Sequence, residues 1–391
     1  MKKTNLIIFP GNFLPHVGGL ETHVDEFCKY LSKTNKYNIT IFVPNVVGAK
    51  EKETIHNKVK VIRYPAFELV SNWPFPKLWS FKFWKLYFEL YKNKYDIVMT
   101  RTMFFTNSTL GLFFSKFRFK KNRIKLVHVE HASDYSKLDS KFKLFMNKFY
   151  MKTFGKLLFI FSNKVVAISD ATKEFLNKEF MKDVSNVPVV RRGFDYKSIE
   201  KINPNEEIKK EYKNKKIITF VGRLIDGKGV QDVIKALKTF DENYIFLIIG
   251  DGNYKQKLEE LVKENNLQNK VVFLGKMEHS DVLSILKISD VFVNPSYTEG
   301  LPTAVLDALF CECKIMATDV GGTYEILSEN WNTKRYKLVK MKDIDAIRSS
   351  IEILLKEKSK VDINLIHEIK KKFDWQNHAK IYDKIISEIL K

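Results

Sequence analysis

Apolar runs of four to eight residues, each followed by a turn and then by apolar residues at helical spacing, recur along this chain and set its class. NLIIF, ITIFV, DIVMT, KLVHV and KVVAI in the first half, and IITFV, YIFLII, VVFLG, VFVN and KIMAT in the second, show little alternation of apolar and polar positions. Such runs suit strands buried on both faces of a parallel sheet, with the stretches between them forming the return helices. An α/β chain is therefore predicted. After the first strand comes a loop holding Gly11, Gly18 and Gly19, then a helix whose apolar face is Leu20, Val24, Phe27 and Leu31. At the far end FDWQNHAKIYDKIISEILK predicts an amphipathic helix with Trp375, Ile381, Ile385 and Leu390 on its apolar face.

The turns carry the chemistry. Between Val291 and Gly322 the strand Val291–Asn294 runs into a loop marked by Pro295, Ser296, Gly300 and Pro302, and the rhythm Ala304, Leu306, Leu309 then starts a helix. Glu299 falls at the mouth of that helix and Asp307 about two turns inside it, so two carboxylates address two ends of one elongated polar ligand. Gly300 lets a phosphate approach the backbone, and the N–H groups of Leu301 to Thr303 with the helix dipole favour its charge. Upstream, IITFVGRLIDGKGVQDVIKAL places Arg223 at a strand end and Lys228 just before a helix, a guanidinium and an ammonium suited to a diphosphate. Two further strands end in Gly250-Asp251-Gly252 and Gly275-Lys276-Met277. Alone, each acid reads as a helix cap and each base as a solvated loop residue. Four strand-loop-helix units with glycine at the same end instead imply a parallel sheet with one ligand-binding edge.

The order GRLIDGKG, IIGDG, FLGKM, NPSYTEGLPTAVLDAL and ATDVGGTYEI resembles the nucleotide-binding half of retaining GT-B glycosyltransferases, glycosyltransferase family 4 (glycosyl transferases group 1). The resemblance is close over Ile217–Leu327 and looser elsewhere. It implies an α/β GT-B architecture, two Rossmann-like domains with parallel sheets facing a central cleft that holds a nucleotide-sugar donor, a UDP- or GDP-sugar, with no metal or other cofactor. On that resemblance Arg223 and Lys228 neutralise the diphosphate leaving group, Glu299 meets the donor sugar and Asp307 the ribose. Gly18, Gly19, Gly300 and Leu301 offer backbone donors, and Gly250 and Met277 line the nucleotide. Of the two histidines in KLVHVEHASD, His131 better matches the family residue facing the donor sugar, and His128 reads as a strand residue. The chain departs from the family pattern at Asp307, where glutamate is usual, at Cys311-Glu312-Cys313-Lys314, and at Arg192-Gly193. Residues 1–195 are expected to form the acceptor-side domain and 196–372 the nucleotide-sugar domain, with 373–391 packing back on the first. Asp343-Ile344-Asp345 opens a late helix and reads as a cap rather than a metal site.

Composition narrows the setting. With 391 residues, 45% of them hydrophobic, the chain is long enough for two cores. Its three cysteines, Cys28, Cys311 and Cys313, make no disulfide framework, and a cytoplasmic location is expected. The first residues read as strand rather than leader, and LLFIFSNKVVAI is too short and polar to span a bilayer. The net charge of +21 is uneven: Lys77–Ile160 holds eighteen Lys and Arg against five Asp and Glu. Trp79, Phe81, Phe83, Trp84, Tyr87, Phe88, Phe142, Phe145 and Phe149 are interleaved with them. That mixture suits an anionic membrane surface, with Lys116, Lys120 and Lys121 among the basic contacts; the rival reading places the aromatics in the core. Nucleic acid is not expected, since no nucleic-acid motif accompanies the charge. Together these features point to a retaining hexosyltransferase, peripheral on the inner face of the membrane, acting on a lipid-linked or cell-surface glycan acceptor. A sugar-nucleotide epimerase and a catalytically silent scaffold subunit would share the fold and remain as rivals.

Overall fold

The computed structural model describes residues 3–16, 18–46, 48–70, 73–117, 124–135, 141–240, 243–327, 334–361 and 363–391. The chain divides into two compact units, Met1–Gly193 with Phe373–Lys391, and Phe194–Lys372. Each is built on its own sheet.

In the first unit the strands are β1 (Thr4–Phe9), β2 (Tyr37–Asn45), β3 (Lys52–Ile55), β4 (Val59–Val70), β5 (Trp73–Pro76), β6 (Ile97–Arg101), β7 (Lys125–Glu130) and β8 (Lys164–Ala167). They lie in the order β3-β4-β2-β1-β6-β7-β8, with β5 beside β4. Among the described residues only β3 and β5 run antiparallel to their neighbour. Because β1 pairs with β2 on one side and β6 on the other, strand order reverses there, and the loops after β1 and β6 diverge at a switch point. The helix Gly19–Lys33 buries His23, Val24, Phe27, Cys28 and Leu31. The C-terminal helix Trp375–Leu390 buries Trp375, His378, Ala379, Tyr382, Ile385 and Ile386, while Ile381 and Leu390 are about two-fifths exposed. Its inner stripe thus runs through His378 and Tyr382; Ile381 lies about 100° round the helix from Tyr382 and Leu390 ends the last, solvent-facing turn.

The second unit is a six-stranded parallel sheet of β9 (Lys216–Val221), β10 (Tyr244–Ile249), β11 (Val271–Gly275), β12 (Val291–Asn294), β13 (Lys314–Thr318) and β14 (Tyr336–Val339), in the order β11-β10-β9-β12-β13-β14. Every residue of β10 and β12 is buried, which is why neither alternates in sequence. Fully burying each large apolar side chain contributes about 1.5–3 kcal/mol. The switch point here falls between β9 and β12.

The aromatic stretch splits between core and surface. Along the helix Phe81–Tyr91, Phe83, Leu86, Tyr87 and Leu90 are buried, whereas Phe81, Trp84 and Phe88 form an exposed face. Phe142, Phe145, Met146 and Phe149 make a second exposed stripe on the helix Lys141–Tyr150, and Phe117 and Phe161 are exposed as well. Phe113 packs on Phe117, and the Lys116 ammonium lies 6.0 Å from the Phe161 ring. Lys120 and Lys121 lie outside the described residues. Among the described residues no helix is long and apolar enough to cross a membrane.

Candidate active site

The carboxyl ends of β9 to β13 bring most of the expected residues of the second unit to one sheet edge. Glycines let the loops close on one another. At Gly250, where φ is +137°, an added Cβ would sit 1.9 Å from the Gly222 carbonyl oxygen; at Gly229, where φ is +68°, it would sit 2.1 Å from that of Pro295. Gly250 therefore shapes the loop, since no side chain fits there. Backbone bonds from Gly222 N to the Ile249 oxygen and from Leu224 N to the Asp251 oxygen stitch the β9 loop to that of β10. Gly322 N donates to the Gly300 oxygen at 3.0 Å, joining the loops after β13 and β12.

Lys228 ends a short 3₁₀ turn, Asp226–Lys228, after β9. Its ammonium donates to Glu299 Oε1 at 2.5 Å, so a cation and a carboxylate are joined across the switch point. Arg223, on the same loop, is exposed and has no side-chain partner among the described residues. Leu301 is buried, and no side chain caps the helix Thr303–Phe310 that follows it. The helix begins at Thr303, so Asp307 is its fifth residue, one turn inside rather than two. Proline at 302 disfavours helical backbone at Leu301 before it, so the helix does not start earlier. Asp307 is buried, and its Oδ1 lies 3.0 Å from His279 Nε2. His279 opens the helix His279–Leu286 two residues after Met277, which is partly buried in the β11 loop.

Sequence reasoning missed His279, although a histidine two residues past the strand-loop glycine motif was a readable signal. It also missed the support behind Glu299. Tyr297 donates to Asp232 at 2.7 Å, accepts from Gln231, and gives its N–H to the Gly227 oxygen, pinning the β12 loop to that of β9. Burial pushes the Asp232 carboxyl above its ordinary range, against the Tyr297 hydrogen bond.

Departures from the family pattern have structural accounts. Glu312 takes φ +62°, the left-handed region, between Cys311 and Cys313, two buried thiols directed at the Leu283 and Leu286 carbonyls. Burial raises the Cys311 thiol to about 12, so it is unreactive at neutral pH. Asp343 caps its helix by accepting from Ala346 N at 3.0 Å.

In the first unit Gly18 precedes the helix Gly19–Lys33, and the Gly19 carbonyl accepts from Arg192, which also bonds Glu26 at 2.8 Å. His131 follows β7 and is buried; its ring lies 5.0 Å from that of His23, one turn inside the same helix. Its Nε2 has no hydrogen-bond partner among the described residues. Burial, then the nearby Arg101, holds His131 well below the usual histidine range, so it is neutral. His128 is a strand residue, bonded to Thr100 and Glu130 at 2.9 and 3.0 Å.

Comparison with known proteins fits this geometry. Residues 17–198 match the family Glycosyltransferase Family 4, and residues 201–372 match Glycosyl transferases group 1. An uncharacterised glycosyltransferase of Methanocaldococcus jannaschii is 42% identical over the whole of both chains. The N,N'-diacetylbacillosaminyl-diphospho-undecaprenol alpha-1,3-N-acetylgalactosaminyltransferase of Campylobacter jejuni is 25% identical, covering 96% of this chain and 99% of that one. The structure of Anabaena HepE in complex with UDP-glucose superposes with a TM-score of 0.75 at 16% identity, over 98% of this chain and 99% of that one, which establishes the GT-B fold. The chain therefore belongs to the family 4, group 1 glycosyltransferases.

Proposed function

We propose that this glycosyltransferase retains anomeric configuration and moves a hexose or related sugar from a UDP- or GDP-sugar to a hydroxyl of a lipid-linked or surface-glycan acceptor, without a metal. The observation that carries the reading is the Lys228–Glu299 pair at the β9/β12 switch point, with Arg223 on the loop of Lys228 and Asp307 one turn inside the helix that follows Glu299. An ammonium has three N–H donors. One of them holds Glu299, and the others serve a diphosphate together with the Arg223 guanidinium, so the leaving group is neutralised as its charge develops. Glu299, fixed by Lys228, takes donor sugar hydroxyls, and Asp307, held against His279, takes the ribose. Gly18, Gly19, Gly300 and Leu301 supply backbone donors, Gly250 and Met277 line the nucleotide, and neutral His131 hydrogen-bonds the sugar through Nε2. No side chain is assigned as nucleophile; the departing phosphate oxygen takes the acceptor proton on the face where the new bond forms.

The acceptor class is supported by the Campylobacter relative, named for a diphospho-undecaprenol substrate, and by the exposed aromatic stripes among lysines, which suit the cytoplasmic face of an anionic membrane. The test is a thermal-shift screen of UDP-, GDP- and ADP-sugars. It is followed by mass spectrometry of products with lipid-linked acceptors and NMR assignment of the new anomeric centre. An inverted centre rejects retention; donor turnover without an acceptor identifies an epimerase; donor binding with no product across the panel identifies a silent subunit.

A further inference from the structure

Away from the residues assigned to the donor, the first unit encloses a cation that no described side chain neutralises. Arg101 ends β6 and is 2% exposed. Its guanidinium carbon lies 4.5 Å from the centre of the Phe27 ring and Nη2 reaches the Met99 sulfur at 3.6 Å, but Nε and Nη1 have no hydrogen-bond partner among the described residues. Among the other buried polar atoms in that condition are His23 Nε2 and the Tyr382 hydroxyl. Phe27 links the three: it lies one turn after His23 on the same helix, stacks beneath Arg101, and packs edge-on against Tyr382 at 4.9 Å.

The neighbouring acids are committed elsewhere. Glu130, the buried carboxylate of β7, accepts from Met103 N, His131 N, Ala132 N and His128 Nε2. Glu26 accepts from Arg192 and the Trp375 indole. A buried guanidinium without a counter-charge, surrounded by hydrogen-bond donors left unmade, is an expensive arrangement unless something negative completes it. Arg101 offers the single N–H of Nε and the two of Nη1, Tyr382 an O–H, and His23 an N–H in the tautomer protonated at Nε2. We propose that Arg101, His23 and Tyr382 bind a small inorganic anion of halide or nitrate size. Each of the three is no more than 2% exposed, so the site encloses its ion rather than gripping one end of a larger molecule. The bound ion fastens the C-terminal helix, through Tyr382, to β6 and to the helix Gly19–Lys33. This does not depend on the donor assignment.

The test is thermal unfolding of the full chain at constant ionic strength, with gluconate replaced stepwise by chloride, bromide or nitrate. A saturable rise in Tm of several degrees is expected, absent in Arg101→Met. The same Tm in gluconate and chloride, or an unchanged rise in Arg101→Met, overturns the proposal. Should Arg101→Met not fold, Tyr382→Phe with His23→Phe is expected to raise the half-saturating bromide concentration about tenfold or more; no change in that concentration counts against the site. Crystals of the wild type in bromide supply a direct reading. An anomalous peak within hydrogen-bond distance of Arg101 supports the site, and ordered water alone there at molar bromide rejects it.

Discussion

Lys228 Nζ lies 2.5 Å from Glu299 Oε1, and the two residues stand on the loops after β9 and β12, the strands between which the order of the second sheet reverses. Loops that part at such a point leave a crevice at the strand ends, and this pair places both signs of charge in it. Lys228→Ala and Arg223→Ala are each expected to lower turnover by roughly 10²-fold, about 3 kcal/mol of transition-state stabilisation. Arg223 is exposed, so its removal should change folding stability by less than about 0.5 kcal/mol. Steady-state kinetics beside urea unfolding separates the two effects; near-wild-type turnover in both variants removes the clamp from the mechanism.

Glu299 and Asp307 are expected to fail in different assays. Asp307→Ala should weaken binding of free UDP or GDP about tenfold or more, since a ribose diol loses its acceptor. Glu299→Ala should leave that affinity within a few-fold and depress transfer instead. Calorimetric titration with the nucleoside diphosphate decides it, and equal affinity in wild type and Asp307→Ala would show that Asp307 serves only His279.

Glycine positions distinguish loop closure from ligand contact. Gly275→Ala, at φ +72° with nothing within 4 Å of the added Cβ, should cost only the backbone penalty, about 1–2 kcal/mol. Gly250→Ala, whose Cβ would meet the Gly222 oxygen at 1.9 Å, must shift two strand ends and should cost at least about 3 kcal/mol. Equal stability losses in chemical denaturation would contradict the stitched-loop account.

These contrasts show where the sequence was legible. Strands buried on both faces announce themselves as unbroken apolar runs, and Val291–Asn294 is a strand with the limits its composition suggests. Glycine at each strand end marked the edge on which Lys228, Glu299 and Asp307 are placed. Contacts between elements far apart in sequence left no such mark. Nothing in KMEH pairs His279 with Asp307, and nothing in VMTR says that Arg101 will be enclosed beside a C-terminal tyrosine. Aromatics were ambiguous for a related reason: Phe83 and Phe88 sit on one helix with similar neighbours, and only the fold puts the first in the core and the second outside.

The exposed aromatic stripes predict membrane binding with a definite salt response. Phe81, Phe88, Phe142 and Phe145 are each more than half exposed; Lys148 shares a helix with the last two, and Lys116 lies 6.0 Å from the exposed Phe161 ring. Aromatic insertion with screened electrostatics should give sedimentation with anionic vesicles, partial release at about 1 M salt, where the Debye length is about 3 Å, and weak binding to neutral vesicles. Changing the four phenylalanines to serine should reduce binding at every salt concentration, whereas Lys116→Glu should matter chiefly at low salt. Recovery in the supernatant at all salt concentrations would sink the membrane reading and leave the transferase reading intact.

His23 and His131 predict how the first unit responds to acid. Both are buried, and burial, with Arg101 the next cause, holds each well below the ordinary value of 6.5. In the unfolded chain they take up protons near pH 6.5, while in the folded chain they do not, so the unfolded state binds more protons below that pH. Stability is therefore fully present above about pH 7 and is lost as pH falls through 6.5 toward the depressed folded values, by up to about 1.4 kcal/mol per pH unit for each histidine. Ordinary carboxylates titrate near pH 4, so urea unfolding between pH 7.5 and 5 isolates the histidine contribution. Gluconate buffers keep small anions from stabilising a protonated ring. His23→Gln with His131→Gln should flatten the slope in that window while leaving the fall below pH 5 in place. An unchanged slope in the double variant would mean that the acid response belongs to other groups and that these two rings titrate freely in the folded chain.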